Sequence, residues 1–256
     1  IYLEKGLSKN TKSAYKSDIN LIFNWFKENK IKPLQVQEED FRKLFSFLRN
    51  KNFKSSSLNR KLSSLKQFYQ VLKEEEYIKT NPLNNLENFK KHKKLPKSLT
   101  ENVIASLLEK AKYDYENSEE FSYQKYKCLR TLTILEILYS TGMRITELLK
   151  LPLSDFLNIS DKLQIKGKGE VYRIVAFNKQ SKILIDTWLK HRSSLKNSLD
   201  NKYMFPNKKG NNHICRQTVY KDLSHLSKSI GINNIETSPH SIRHSFATHM
   251  LNRGAD

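Results

Sequence analysis

Apolar residues in the first 90 positions recur every three or four residues, the spacing of helices that bury one stripe. The pattern predicts three helices, over about Asn10–Lys27, Gln37–Lys51 and Ser57–Glu76. Ser55–Ser57 is expected to cap the third helix, and a helix start with hydroxyl groups is suited to holding a phosphate. The polar residues assigned to the outer face of that helix are Asn59, Arg60, Lys61, Ser64 and Lys66. This part of the chain therefore predicts a helical bundle.

The remainder of the chain has a mixed pattern. Two short strands, Lys162–Lys166 and Val171–Phe177, flank a turn containing Gly167-Lys168-Gly169. The pattern is therefore mainly α with a small β-hairpin, and it predicts domains over 1–89 and 98–256 joined by a basic linker, 90–97. The helices predicted around the hairpin are Thr100–Lys112, Tyr123–Ser140 ending at Gly142, Arg144–Leu151, Lys179–His191, Arg216–Ser229 and Pro239–Asn252.

The net charge of the chain limits the classes of partner that it is expected to bind. It has 256 residues with 46 Lys and Arg against 26 Asp and Glu, a formal net charge of +20. Such an excess predicts a polyanionic partner, most simply nucleic acid, with an anionic membrane surface as the alternative. No apolar run is long enough to span a membrane. The two cysteines are too few for a disulfide framework and are not spaced as metal ligands. This cysteine content fits a protein of the reducing cytosol.

The segment from Ser238 to His244 is the most informative motif. Ser238 and Pro239 predict the start of a helix, which puts His240 and Arg243 on one face of its first turns, where free N–H groups attract a phosphate. An incidental polar helix surface is the alternative. His240 and His244 also have the spacing of a zinc pair, but Ser241 replaces the expected Glu and Arg243 would oppose a cation, so no metal site is predicted.

Two further motifs carry basic groups. Arg144 follows Gly142 at a junction between helices, and Glu147 three residues later is its expected ion-pair partner. Lys168 lies at the glycine-flanked tip of the hairpin, although exposed lysines in turns are common. The candidate set consists of Arg144, Lys168, His240 and Arg243. It includes no pair of carboxylates, and no phosphate-binding P-loop accompanies it. Such a set suits the stabilisation of negative charge on a phosphodiester, with a side-chain nucleophile and a protonated leaving-group donor.

These motifs resemble those of the tyrosine recombinases, and most closely the Xer-type recombinases that resolve chromosome dimers. Thr141–Leu148 is similar to the family's Thr-Gly-x-Arg-x-x-Glu-Leu box, and Ser238–His249 to its His-x-x-Arg box. Lys168 matches the hairpin position of the catalytic Lys, and Lys9–Tyr15 resembles the opening of the SAM-like core-binding domain. The resemblance covers nearly the whole chain and implies a mixed α+β catalytic domain after the helical bundle.

The resemblance implies a role for each catalytic candidate. Arg144 and Arg243 would hold the non-bridging oxygens of the scissile phosphate, Lys168 would protonate the leaving 5′ oxygen, and His240 would assist proton transfer. The family cleaves DNA with a tyrosine, forms a 3′-phosphotyrosyl link and exchanges strands through a Holliday junction. Because that link conserves the bond energy, no cofactor and no metal are expected.

The nucleophile is the point at which the sequence departs from the family pattern. The family places a further His or Trp and then the tyrosine after the His-x-x-Arg helix, whereas this sequence stops at Asp256. None of its twelve tyrosines has the required position; Tyr220 is expected to be a core or DNA-facing residue. The expectation is a chain truncated before its nucleophile, inactive as given and active at full length.

The implied partner is a double-stranded recombination site, bound by a homotetramer or with a second Xer protein, with a septal DNA translocase as a possible activator. Membrane insertion is not expected, and the expected location is the bacterial cytoplasm, at the nucleoid. A phage or transposon integrase and a catalytically silent DNA-binding protein are the alternatives. The predicted DNA contacts are Asn10, Thr11, Lys12, Ser55, Ser57, Asn59, Arg60, Lys66, Lys94, His213, Arg216 and Gln217.

Overall fold

The computed structural model describes residues 9–90, 98–157, 161–167, 171–193, 201–232 and 237–254, with only the backbone at 9 and 10. The chain divides into two compact units, Ile1–Lys93 and Lys94–Asp256. Within the described residues the architecture is mainly helical with one two-stranded sheet, as the sequence predicts. No helix in these ranges is both long and apolar enough to cross a bilayer.

The first unit packs three helices around an aromatic core. They are α1 (Lys9–Glu28), α2 (Glu38–Asn50) and α3 (Ser55–Glu74). Phe41 packs edge-on against Tyr69, whose hydroxyl donates to the carbonyl of Pro33. The fully buried core includes Ile22, Phe26, Phe41, Leu44, Leu65 and Tyr69. The predicted helix bounds are confirmed to within two residues.

Two expectations about α3 are wrong. The helix begins at Ser55 after Lys54, whose extended backbone forms the N-cap, so the serines occupy the first turn and do not cap it. Asn59, Lys61 and Ser64 are buried and not on the outer face. The reason is tertiary: the buried carboxylate of Asp18 accepts from Lys61 Nζ at 2.5 Å, and Ser64 donates back to the Lys61 carbonyl.

The second unit is built around the long helix α5. The elements in chain order are α4 (Glu101–Glu116), α5 (Tyr123–Thr141), α6 (Ile145–Lys150), α7 (Ser154–Leu157), β1 (Lys162–Lys166), β2 (Tyr172–Ala176), α8 (Lys179–Ser193), α9 (Arg216–Ser229) and α10 (Pro239–Asn252). Leu129, Leu135, Ile137 and Leu138 on α5 are fully buried. Trp188 of α8 is fully buried in the same core and donates to the Met204 carbonyl.

The caps explain why the predicted boundaries of several helices agree with the structure. Thr100 and Ser238 accept hydrogen bonds from the amides of Val103 and Ser241, which fixes the starts of α4 and α10. Gly142 adopts the left-handed conformation that ends α5. The four-residue helix α7 was not predicted, because it is too short to show a period.

The hairpin β1–β2 is antiparallel, with Ile165 opposite Arg173 and Leu163 opposite Val175. Ile165 and Val175 are buried, whereas Tyr172 and Ile174 are exposed. The face that carries Ile165, Arg173 and Val175 is therefore the face turned toward the unit's core. Residues 168–170, which join the strands, lie outside the described residues, as do 91–97 of the predicted linker.

Candidate active site

The site is built on the junction between α5 and α6. Gly142 has φ +60°, and a Cβ atom there would lie 2.6 Å from Cε1 of Phe246. Glycine therefore permits both the left-handed turn and the close approach of α10. Arg243 precedes Phe246 by three residues and so lies on the same side of α10, which brings it to the start of α6.

Arg144 is the N-cap residue of α6, and Glu147 is bound to it twice. The Arg144 amide donates to Glu147 Oε2 at 2.8 Å, and Arg144 Nη1 donates to Glu147 Oε1 at 2.9 Å. The predicted ion pair is confirmed. Its effect is to hold the half-exposed Arg144 guanidinium at the helix start, where the first N–H groups of α6 add positive potential.

Glu147 joins three arginines in one cluster. Arg173 of β2 makes a bidentate pair with it, Nη2 to Oε2 at 2.6 Å and Nη1 to Oε1 at 3.2 Å. Arg243 Nη1 lies 3.9 Å from Glu147 Oε2. The structure thus brings Arg144 and Arg243 to one carboxylate and adds Arg173, which the sequence motifs missed. Three guanidinium groups around one carboxylate leave a local charge of about +2 for an anion.

The protonation of Glu147 is set by its neighbours. Burial raises the pKa of the carboxyl, but hydrogen bonds from Arg173 and from the Arg144 amide and side chain outweigh this and lower the pKa to about 2. The carboxylate is therefore charged at every physiological pH, and it offsets only one of the three arginines.

Arg243 has hydrogen-bonding capacity that the cluster does not use. Its Nη1 is buried and has no hydrogen-bond partner among the described residues. Burial and the nearby positive charges of Arg144 and Arg173 lower its pKa, while Glu147 opposes this. An unsatisfied buried donor costs about 1–3 kcal/mol, a cost typical of sites that a ligand completes. An anion between Arg144 and Arg243 would relieve both the charge repulsion and the missing contact.

The other two catalytic candidates are His240, which the structure describes, and Lys168, which it does not. His240 is an exposed residue in the first turn of α10, one turn before Arg243. Lys168 lies outside the described residues; its hairpin is described on both sides, at Gly167 and from Val171. Among the described residues, no group of three or more His, Cys, Asp or Glu side chains could hold a metal ion.

The DNA-contact candidates of the first unit fall into two groups. Thr11, Lys12, Ser55 and Ser57 are partly exposed in the first turns of α1 and α3, while Asn10 is described by its backbone alone. The others make contacts within the unit. Asn59 is buried and exchanges two hydrogen bonds with the Phe89 backbone, Lys66 donates to the Leu86 carbonyl, and Arg60 pairs with Asp18. Of these three only Arg60 is exposed.

In the second unit the candidates surround the start of α9. Arg216 and Gln217 are exposed in its first turn, and Cys215 is the N-cap residue. His213 is held by the Ile214 carbonyl and by edge-on packing against Tyr203. Tyr220 is exposed on the same helix. Lys94 lies outside the described residues.

Comparisons with known proteins agree with these motifs. The model of the phage integrase family matches residues 97–256, and that of the phage integrase N-terminal SAM-like domain matches residues 1–76. Tyrosine recombinase XerD of Proteus mirabilis is 34% identical over 257 residues, covering 100% of this chain and 79% of the relative. The chain belongs to the phage integrase family of tyrosine recombinases. XerD of Brucella suis biovar 1 is 30% identical, covering 99% of the chain and 82% of the relative.

Solved structures support the fold of this tyrosine recombinase. The XerH recombinase bound to a palindromic difH substrate, in a post-cleavage complex, gives a TM-score of 0.76 at 22% identity over 95% of this chain and 69% of that one. The XerA recombinase gives a TM-score of 0.52 at 25% identity, over 98% of this chain and 80% of that one. The Tn1549 transposon integrase in complex with circular intermediate DNA gives 0.72 at 19% identity, over 100% of this chain and 85% of that one.

Proposed function

We propose that the full-length protein recombines DNA at a specific site, resolving chromosome dimers at a dif-like sequence. Its relatives are XerD recombinases, and the XerH structure carries a difH substrate. The observation that carries the proposal is the grouping of Arg144 and Arg243 around Glu147, which leaves positive charge and a free donor for one phosphate. Arg144 and Arg243 bind the non-bridging oxygens of that phosphate and stabilise the charge that develops during attack.

The other roles in the proposed reaction follow the family pattern. Lys168 protonates the 5′ oxygen as it leaves, and His240 assists proton transfer at the same phosphate. A tyrosine attacks the phosphorus, so that the P–O5′ bond breaks as the phosphotyrosyl bond forms. The later attack of a free 5′ hydroxyl reverses these bonds and rejoins the strand. The protein would act as a tetramer on two DNA sites or with a second Xer protein, in the bacterial cytoplasm, with a septal DNA translocase as activator.

DNA binding in this proposal uses partly exposed polar side chains of the first unit and exposed ones of the second. The first unit contacts the DNA sugar-phosphate backbone through Thr11, Lys12, Ser55 and Ser57. Helix α9 of the second unit reaches base edges with Arg216 and Gln217. Asn10, Arg60, His213 and Lys94 remain candidates. We leave the buried Asn59 out of the proposed set because its amide already exchanges two hydrogen bonds with the Phe89 backbone, whereas Lys66, which uses one N–H group on the Leu86 carbonyl, stays in it.

Binding-site selection from a random duplex library, followed by titration at several salt concentrations, tests the DNA-binding step. We expect a selected duplex to bind more tightly than its scrambled version at physiological salt, by about 10³-fold or more, and affinity to fall steeply as salt rises. Equal affinity for both duplexes would contradict site specificity.

A nicked suicide duplex carrying the selected site tests the chemistry. The nick lets the cleaved end diffuse away, so that a covalent protein–DNA adduct accumulates in a denaturing gel. An adduct supports a recombinase, and joining of two such sites distinguishes dimer resolution from integration into an unrelated target. Specific binding without any adduct from the full-length protein would instead support a catalytically silent DNA-binding protein.

A further inference from the structure

Arg173 has no role in the reaction described above, yet among the described residues only its guanidinium group binds both oxygens of Glu147. We propose that Arg173 is a positioning residue: it ties the β1–β2 hairpin to Glu147 and thereby fixes the separation of Arg144 and Arg243. The proposal deepens the proposed function and relies on it only for its catalytic readout.

The hairpin register turns Arg173 toward the site. Arg173 pairs with Ile165, which is buried, whereas its neighbours on β2, Tyr172 and Ile174, are 58% and 67% exposed. The Arg173 side chain is 33% exposed, and its two terminal nitrogens both bind Glu147. Both terminal nitrogens of the guanidinium group are therefore directed at the carboxylate of α6.

The same guanidinium also lies against the base of the hairpin turn. A Cβ atom on Gly167 would be 3.2 Å from Arg173 Nη1 and 3.1 Å from the Val171 carbonyl oxygen. The Gly167 amide donates to that carbonyl at 2.8 Å, which closes the hairpin next to Arg173. Arg173 therefore lies close to the residue that precedes Lys168 in the chain and binds the carboxylate that holds Arg144.

A bidentate pair fixes the orientation of a carboxylate as well as its position. Arg173 binds both oxygens of Glu147 with one rigid guanidinium group; Oε1 also accepts from Arg144 Nη1, and Oε2 accepts from the Arg144 amide and faces Arg243 Nη1. Rotation of the carboxylate would move these two oxygens in opposite directions. A lysine in place of Arg173 would keep the positive charge. Because its ammonium group is a point charge, it would not fix the rotation of the Glu147 carboxylate.

The catalytic test compares Arg173→Ala and Arg173→Lys in the full-length protein by single-turnover cleavage of the suicide duplex. We expect Arg173→Ala to slow cleavage about 10²-fold, because small misplacement of catalytic groups has effects of this size, while DNA affinity stays within about threefold. Arg173→Lys should recover part of the rate. Arg253→Ala, which breaks the exposed pair of Arg253 with Glu101 in the same unit, is the matched control and should cleave normally.

A double-mutant cycle shows whether Arg173 acts through Glu147. If it does, Arg173→Ala in a Glu147→Gln background should slow cleavage by much less than it does alone. Rate losses that multiply in the double variant would overturn the proposal, because Arg173 would then act independently of Glu147. Equal cleavage by wild type and Arg173→Ala would overturn it as well.

Nuclear magnetic resonance of ¹⁵N-arginine-labelled protein provides a readout that does not need catalysis. The Nε–H resonances of Arg144 and Arg243 should shift in Arg173→Ala and stay in place in Arg253→Ala. Unchanged resonances would refute the positioning role. If the resonances shift while wild-type protein forms no adduct, the positioning role is supported and the proposed recombinase function is the part that fails.

Discussion

Replacing Glu147 by Gln removes the only negative charge seen in the three-arginine cluster of the described residues. The folded protein holds the Glu147 pKa at about 2, against an ordinary value of 4.5. A difference of this size corresponds to about 3 kcal/mol of folding stability at neutral pH. Glu147→Gln is therefore expected to lower the free energy of unfolding of the second unit by about 3 kcal/mol at pH 7.

The pH dependence has a definite sign. Because the pKa is lower in the folded state, the contribution of Glu147 is complete above the unfolded pKa of about 4.5 and is lost as pH falls toward 2. The gap between wild type and Glu147→Gln should therefore be constant from pH 7 to about pH 5.5 and shrink to less than half near pH 3.

Tryptophan fluorescence during urea unfolding can isolate the relevant unit. The chain has two tryptophans, Trp25 in the first unit and Trp188 in the second, so a Trp25→Phe background reports on Trp188 alone. Glu101→Gln, at an exposed ion pair, is the control and should cost less than about 1 kcal/mol. A loss below about 1 kcal/mol for Glu147→Gln, or one that does not depend on pH between 5 and 3, would refute the reasoning.

Three further substitutions test the packing and the buried polar contacts by urea unfolding, read from Trp25 for the first unit and from Trp188 for the second, with the other tryptophan replaced by Phe. Gly142→Ala should cost about 1–3 kcal/mol more than Gly231→Ala, because both glycines have positive φ but only the first faces a ring, that of Phe246; equal costs would contradict the close contact. Lys61→Met should destabilise the first unit by about 3 kcal/mol by leaving buried Asp18 with Arg60 alone, and Asp18→Asn in the same chain should recover part of the loss. Tyr139→Phe should cost about 1 kcal/mol, since it removes the 3.0 Å contact to His249 Nδ1.

Local signals in the sequence were sufficient for most of the fold. The cap residues Thr100 and Ser238, the terminating Gly142 and the apolar periodicity act within a few residues of the boundary they set. The approximate bounds predicted for α10 agree with the structure for that reason, since Ser238 caps its first turn. The pairing of Arg144 with Glu147 was also predictable, because three residues on a helix are neighbours.

Tertiary contacts explain what the sequence did not reveal. Lys61 has the charge of a surface residue, and only the approach of Asp18 from α1 makes its burial favourable. Arg173 sits in a strand where alternate residues face the core, and nothing local indicates that its partner is Glu147, 26 positions earlier. Its position five residues after Lys168 was the single available clue.

The central claim is that Arg144 and Arg243 hold the phosphate that the protein cleaves. Its most direct test is adduct formation on the nicked duplex by the full-length protein and its Arg243→Ala variant, at matched DNA occupancy. We predict an adduct with wild type, a decrease of at least about 10²-fold with Arg243→Ala, and DNA affinity within about fivefold. Adducts that persist in Arg243→Ala at the wild-type rate would contradict the account.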